Sequence, residues 1–289
     1  MIIWIASYPK SGNTWIRSLL SAYLFSDNAN FDFPLLKKIL KFPSKKYLRY
    51  FTNDFSDVKK VSDYWIAAQD RLNLFNENKT TLLKTHSALC TLEKNPFTNK
   101  NNTQAVIYIV RDPRNVITSV ANHYTFSVEQ SYDFMTDDNQ IITEDKWGTE
   151  NFGISTVLGS WSTHYKSWKN IKFAPILNVK YEDLVKDTKN SLIRILNFLE
   201  KFMDIKIDEK KIVKAIESCN FENLKKMEKN DGFDEAAFSE KLNKKVVFFN
   251  LGEKNNWKNL LKPEMEKKIR KIFNKEMKEL GYIGAGEGN

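Results

Sequence analysis

The run Ile2-Ile3-Trp4-Ile5-Ala6-Ser7, followed at once by Tyr8-Pro9-Lys10-Ser11-Gly12-Asn13-Thr14, constrains this chain more than any other segment. An apolar run that short, rich in β-branched and aromatic residues, reads as a buried strand. Pro9 and the Ser11-Gly12 pair read as a turn. From Thr14 onward, Ile16, Leu19, Leu20, Tyr23 and Leu24 fall at helical spacing. A strand, a tight loop and a helix at the head of a chain point to an α/β fold. The pattern then recurs. Thr80–Lys84 and Ala105–Val110 read as strands, and Pro175–Tyr181 as a fourth. Asp112-Pro113 places an N-cap and a first-turn proline at the head of a helix through Val116, Val120 and Ala121. Val61, Trp65, Ala68, Leu72 and Phe75 make one helix face, and further helices are predicted over 155–170, 189–201, 208–218 and 263–280. Strands alternating with helices predict a mostly parallel central sheet flanked by helices. With no internal repeat and no linker, residues 1–283 read as one domain and 284–289 as a frayed tail. Residues 124–152, irregular, acidic and aromatic, read as a surface lid.

Composition narrows the class. At 289 residues, 42% hydrophobic and 28% charged, the chain is long enough for a sizeable core and is not disordered. Two cysteines, Cys90 and Cys219, exclude a disulfide scaffold. The longest apolar run is about six residues, too short to span a membrane. The N-terminal residues lack the basic region of a signal peptide, so a reducing, cytoplasmic location is expected. The net charge of +9 suits an anionic partner. Of 45 basic residues only seven are Arg, so two within four residues, Arg111 and Arg114, draw notice.

Set against the phosphate-loop pattern G-x-x-x-x-G-K-[ST], residues 7–14 supply Gly12 and Thr14 but place Ser7 and Asn13 in the first Gly and Lys slots. Backbone N–H groups at a helix N-terminus still face an anion. The missing lysine points to a nucleotide with no γ-phosphate. A nucleotide kinase on the same architecture is the rival enzyme. Asn13 and the lack of a metal-binding carboxylate after a strand argue against it, since Asp112 reads as an N-cap. A nucleotide-binding protein without activity is the second alternative. No Cys/His cluster has the spacing of metal ligands, so no metal is expected.

The segment Tyr8-Pro9-Lys10-Ser11-Gly12-Asn13-Thr14-Trp15 resembles the 5′-phosphosulfate loop of the cytosolic-type sulfotransferases. That family transfers a sulfuryl group from 3′-phosphoadenosine 5′-phosphosulfate (PAPS) to an acceptor hydroxyl or amine, leaving adenosine 3′,5′-bisphosphate (PAP). Further segments agree in order over residues 1–280. Leu83-Lys84-Thr85-His86 resembles the strand-end Lys-Thr-His, and Val106–Ser119 the 3′-phosphate segment. Val179–Leu184 and Phe221-Glu222-Asn223-Leu224 resemble segments near the adenosine. The resemblance implies His86 as general base, Lys84 orienting the sulfonate and Lys10 neutralising the leaving phosphate oxygen. It implies Ser11, Gly12, Asn13 and Thr14 on the 5′-phosphate, and Arg111 and Ser119 on the 3′-phosphate. Trp15, Tyr181 and Phe221 then lie at the adenosine, with Gly252 offering a backbone N–H.

Two departures from the family stand out. Asn250-Leu251 precede Gly252 where two cations are usual, which leaves Lys254 as a substitute. A family dimer motif is met only in part by Lys241, Lys245-Val246 and Asn250, so no dimer is inferred. Arg114 reads as a helix N-terminal surface residue, and His123 and His164 as ordinary core or surface histidines. Residues 27–78 and 124–152 are expected to wall an acceptor pocket. Its candidate aromatics are Phe31, Phe33, Tyr47, Phe51, Trp65, Tyr124, Phe126, Tyr132, Phe134 and Trp147. Such a lining favours an apolar or aromatic small-molecule alcohol; a nucleic-acid partner is not expected.

Overall fold

The structure is a computed structural model that describes residues 1–77, 79–144, 151–239 and 243–284. Five strands form the central sheet: β1 (Ile2–Ser7), β2 (Leu40–Lys41), β3 (Thr81–Thr85), β4 (Thr103–Val110) and β5 (Ile176–Lys180). Their order is β2-β3-β1-β4-β5, and every pairing is parallel. The α/β expectation therefore holds. The two-residue β2 is a strand that sequence pattern did not reveal.

Parallel strands in one sheet need crossovers, and the crossover helices cover both faces. The principal helices are α1 (Asn13–Phe25), α2 (Trp65–Phe75), α3 (Pro113–Tyr124), α4 (Trp161–Lys169), α5 (Thr188–Leu199), α6 (Glu209–Ser218), α7 (Phe221–Asp231) and α8 (Pro263–Ile272). The period of two along β1 sorts its side chains between two cores. Ile2, Trp4 and Ala6 join Leu83, Val106 and Tyr108 beneath α2, α3, α4 and α8. Ile3 and Ile5 join Leu82, Ala105 and Ile107 beneath α1, α5, α6 and α7. All five of these β1 side chains are fully buried, which is why the run is apolar without alternation.

The structure corrects several boundaries. The predicted helix over 61–75 breaks at Asp63-Tyr64 into Val58–Ser62 and α2. The predicted 263–280 helix is α8 followed by a separate short helix, Asn274–Glu279. The segment read as an irregular lid holds a helix, Val128–Thr136, and a strand, Ile141–Thr143, that pairs with Ser155–Val157. The signal for that helix was present. Ser127 accepts from the Gln130 backbone while the Gln130 side chain accepts from the Ser127 N–H, a reciprocal cap. The proposed tail falls mostly on 285–289, outside the described residues, as do Trp147 and Lys241.

Asp112 caps α3 as predicted, accepting from the Arg114 N–H at 2.9 Å. Arg114, however, is not a surface residue. Its guanidinium pairs with Asp112 at 2.7 Å, reaches Glu266 at 3.4 Å, donates to the Tyr282 carbonyl at 2.8 Å and lies over the Trp257 ring. It ties the strand-to-helix corner to the C-terminal region. Cap and charge can be separated. Asp112→Asn keeps an acceptor for the helix but loses the charge, whereas Asp112→Ala loses both and leaves a buried guanidinium short of a partner. The alanine variant should lose about 3–5 kcal/mol, and the asparagine variant about 1 kcal/mol less than that, the worth of a typical cap. Urea midpoints of the three proteins check this, and equal losses for Asn and Ala would show that the cap contributes nothing.

Candidate active site

The sheet order makes the site. The chain leaves β1 toward β2 and β3 on one side and later adds β4 and β5 on the other, so β1 lies at the switch point. A crevice opens there beyond the C-terminal ends of the strands. Register aligns those ends: Ala6 lies beside Thr85 of β3, and Ser7 beside Ile109 of β4. The residues that follow, Tyr8–Gly12, His86 and Arg111, therefore converge. The resulting cleft has a volume of about 1550 Å³. It is lined by Lys10, Gly12, Asn13, Thr14, Trp15, Lys84, His86, Arg111, Ser119, Tyr181, Phe221 and Gly252. Every site residue implied by the family resemblance except Ser11 is on that wall, and Ser11 is buried with its Oγ unpartnered.

The loop is held open by two left-handed residues, Lys10 at φ 65° and Gly12 at φ 103°. At Gly12 the conformation and the space both demand glycine. A Cβ there would stand 2.5 Å from the Tyr181 ring. Tyr181 in turn meets Trp15 edge-on at 5.9 Å and carries the Arg111 guanidinium 4.1 Å from its centroid. Arg111 also donates to the Lys10 carbonyl at 3.2 Å, and its buried Nε has no partner. Asn13, in the slot of the phosphate-loop lysine, points away from the cleft. Its Nδ2 donates to the Ile5 carbonyl at 3.0 Å and to Ser7 Oγ at 3.2 Å. Only its backbone N–H remains for an anion.

His86 sits at the end of β3. Its Nδ1 is 2.7 Å from the Ser7 carbonyl, which can only accept. That fixes the proton on Nδ1 and leaves Nε2 as the basic nitrogen. Burial, together with the Lys84 charge, holds the His86 pKa well below the usual imidazole value, so the ring is neutral near pH 7. His164 supports it from behind. His164 Nε2 donates to the His86 carbonyl at 3.2 Å, and the Tyr108 hydroxyl lies 2.9 Å from its Nδ1. His164 is thus a core histidine, as expected, whereas His123 lies on the cleft wall against Tyr124 and Phe248.

Two ammonium groups are buried in the cleft. Lys10 lies 3.6 Å above the Phe248 ring. Burial, then the charges of Arg111 and Lys84, lower its pKa to about 7. Burial lowers Lys84 to about 8, against the pull of Glu235 at 2.9 Å. Sequence pattern gave no sign of Glu235, Tyr181's place over Gly12, or Glu228, whose carboxylate accepts from the Phe248 and Phe249 N–H groups at 2.6 and 2.8 Å and so sets the ring beneath Lys10.

At the far wall, Gly252 has φ 55° and packs on the Phe221 ring, which a Cβ would approach to 2.8 Å. Asn250 donates to Asn122 Oδ1 at 2.9 Å, and Leu251 is part of the lining. Lys254 is exposed and not on the wall, so it does not replace the missing cations. Of the aromatics expected to wall an acceptor pocket, Phe33, Tyr124 and Phe126 do so. Phe31, Tyr47 and Trp65 are core residues, and Phe51, Tyr132 and Phe134 pack against the core. Beyond His86 the wall instead carries Lys41, Ser44, Thr143, Glu144, Asn151 and Thr156, with Lys41 and Glu144 paired at 3.3 Å. Among the described residues no group of three or more His, Cys, Asp or Glu could hold a metal ion, and no helix is long and apolar enough to cross a membrane.

Known proteins carry the same organisation. The cytosolic sulfotransferase 17 of Arabidopsis thaliana is 24% identical, covering 97% of this chain and 75% of its own length. The amine sulfotransferase of Oryctolagus cuniculus is 25% identical, covering 96% and 81%. A mouse sulfotransferase solved in complex with PAP shares the fold, with a TM-score of 0.57, 20% identity and coverage of 97% and 85%. A family model described as the sulfotransferase domain matches residues 2–281. The chain belongs to the sulfotransferase domain family and is a sulfotransferase.

Proposed function

We propose that this chain transfers a sulfuryl group from PAPS to a hydroxyl of a small acceptor by in-line displacement, with His86 as the general base. The observation that carries this reading is the His86 tautomer. A neutral imidazole, with its proton fixed on Nδ1 by the Ser7 carbonyl, offers Nε2 to a cleft that also holds Lys10 and Lys84.

The residues fit a nucleotide carrying phosphates at both ends. The first turn of α1 presents the backbone N–H groups of Gly12, Asn13 and Thr14, with Ser11 Oγ buried and unpartnered beside them. Arg111, its Nε likewise unpartnered, and Ser119 suit the 3′-phosphate. Trp15, Tyr181, Phe221 and Gly252 surround the space for the adenosine. PAPS supplies the sulfuryl group. His86 Nε2 takes the acceptor hydroxyl proton, Lys84 orients the sulfonate, and Lys10 neutralises charge on the leaving phosphate oxygen. Such a displacement asks for position and charge stabilisation more than for covalent help. Asn13 leaves no lysine for a γ-phosphate, which disfavours the kinase alternative. The polar wall around Lys41 and Glu144 suits a more polar acceptor than the apolar or aromatic alcohol read from the sequence. A cytosolic location is supported by the name of the Arabidopsis relative.

Three measurements test the assignment. His86→Asn should keep PAP affinity and lose about 10²–10⁴ in turnover; wild-type turnover in that variant would sink the base.

The ammonium groups predict proton linkage. A bound anion favours their charged forms, so the complex holds more protons than free protein does between pH 7 and 9. PAP affinity should fall as pH rises through Lys10 at about 7 and Lys84 at about 8. Calorimetry at pH 7.5–8.5 in buffers of different ionisation enthalpy should show proton uptake. A pH-independent affinity with no uptake would contradict it.

The third concerns the missing cations. A charge-assisted phosphate bond is worth about 1.5–3 kcal/mol. PAP should bind more tightly than AMP, and Arg111→Ala should erase most of the difference. Adding Asn250→Arg with Leu251→Lys should tighten PAP and leave AMP nearly unchanged. Equal binding of both nucleotides by wild type would remove the 3′-phosphate site.

A further inference from the structure

Arg17 and Glu235 belong to neither the loop motif nor the Lys-Thr-His segment, yet they meet at the centre of the cleft. Arg17 lies on α1, three residues past Thr14, and is 3% exposed. Its guanidinium donates to the Leu36 and Ile39 carbonyls at 3.3 and 3.0 Å and to Glu235 Oε1 at 2.6 Å. These bonds fix a planar, permanently charged group in place. The other Glu235 oxygen accepts from Lys84 Nζ at 2.9 Å and from Thr14 Oγ1 at 3.3 Å. Arg17, Glu235 and Lys84 thus form a chain of alternating charge that runs from the core beneath α1 to the strand position two residues before His86.

We propose that Glu235 is a positioning residue for sulfuryl transfer: clamped by Arg17, its carboxylate aims the Lys84 ammonium into the cleft beside His86. The inference rests on the reading of Lys84 given above. The need for such a partner follows from the surroundings. Lys84 is buried, and Lys10, Arg17 and Lys41 are the cations whose fields reach it or are reached by it, with His86 beside it neutral. Without a carboxylate the cheapest response of a buried ammonium among cations is to lose its proton. Neutral Lys84 no longer attracts the sulfonate, and its Nζ is no longer tethered. Burial, Arg17 and Lys41 depress Lys84 while Glu235 raises it, which agrees with this role. Glu235 is itself held well below the usual carboxylate range by Arg17 and Lys84, so it is charged wherever the enzyme works.

A different role for the same contacts is a placeholder. The carboxylate would then occupy the donor's anion seat and leave when nucleotide binds. The two roles give opposite results for Glu235→Gln, which keeps the shape and removes the charge. Positioning predicts that turnover falls about tenfold to a hundredfold while PAP affinity does not improve. It predicts that Glu235→Asp recovers most of the turnover.

The decisive readout is the Lys84 titration in nucleotide-free protein. It is followed by NMR of ε-13C-labelled lysine, with the resonance assigned through Lys84→Gln. In Glu235→Gln it should move down by about one pH unit or more. The alkaline limb of kcat/KM should move the same way, though Lys10 titrates nearby, so the resonance decides. Tighter PAP binding with undiminished turnover would overturn the proposal in favour of the placeholder. An unmoved Lys84 titration, or a moved one without loss of turnover, would also overturn it. Should Glu235→Gln not fold, as judged by thermal unfolding, Arg17→Lys tests the same clamp and should shift Lys84 in the same direction. A wild-type protein that never turns over PAPS would defeat the reading of the site, whereas an unmoved Lys84 resonance defeats this inference alone.

Discussion

Lys10, Arg17, Lys84 and Arg111 are brought into one cleft, in which Arg17, Lys84 and Arg111 are buried and Lys10 is half-buried. Like charges in that setting repel, and burial penalises each further. The depressed ammonium groups of Lys10 and Lys84 record the cost. Among the described residues one carboxylate, Glu235, pairs with two of the four. The remaining imbalance is what an anionic ligand relieves, and it places affinity for phosphate and sulfonate in the resting protein, ahead of any motion. The unpartnered Ser11 Oγ and Arg111 Nε belong to the same setting, since polar atoms this well buried are normally bonded.

The fold makes that arrangement affordable. A parallel sheet buried on both faces supplies two independent cores, and its strand ends give fixed points from which charged residues project without a change in packing. His86 extends from β3, Arg111 from β4 and the Lys10 loop from β1. Each segment follows on a strand end paired within the sheet: Thr85 with Ala6, Val110 with Lys180 and Ser7 with Ile109. Behind them, His164 and Tyr108 hold the His86 carbonyl, and Asp112 with Arg114 holds the corner after Arg111. The His86 imidazole is thereby oriented twice, through its ring by Ser7 and through its backbone by His164.

What could be read in the sequence was what local chemistry dictates. The β1-loop-α1 unit, the Asp112-Pro113 helix start and the spacing from Arg111 to Ser119 follow from residues near one another in the chain. So the cleft and nearly all of its predicted residues were legible. Glu235 was not, because its meaning depends on Arg17 and Lys84, 218 and 151 positions away. Arg114 was misread for a related reason. An arginine in a first helical turn normally faces water, and only the distant Glu266, Tyr282 and Trp257 enclose it. The aromatic wall was legible only in part: Phe33, Tyr124 and Phe126 line the cleft, but aromatic residues fill cores as readily as pockets, and Tyr47 and Trp65 went to the core. The two-residue β2 offers no period to detect, yet it carries Lys41 to the acceptor side of His86.

Asn13 and Asn250 find a common physical setting. Asn13 stands in the lysine slot of the phosphate-loop pattern, and its amide ties the loop to Ile5 and Ser7, the same Ser7 whose carbonyl fixes His86. Asn250 likewise turns to a neighbour, Asn122, rather than to the cleft. One stack joins the two sides of the cleft: Tyr181 lies on Gly12, Arg111 lies on Tyr181, and Arg111 donates to Lys10. The loop after β1 and the arginine at the end of β4 share one aromatic ring and one carbonyl. A change in position at either must therefore be felt at the other, and His86, bonded to the Ser7 carbonyl at the same strand end, is held with them.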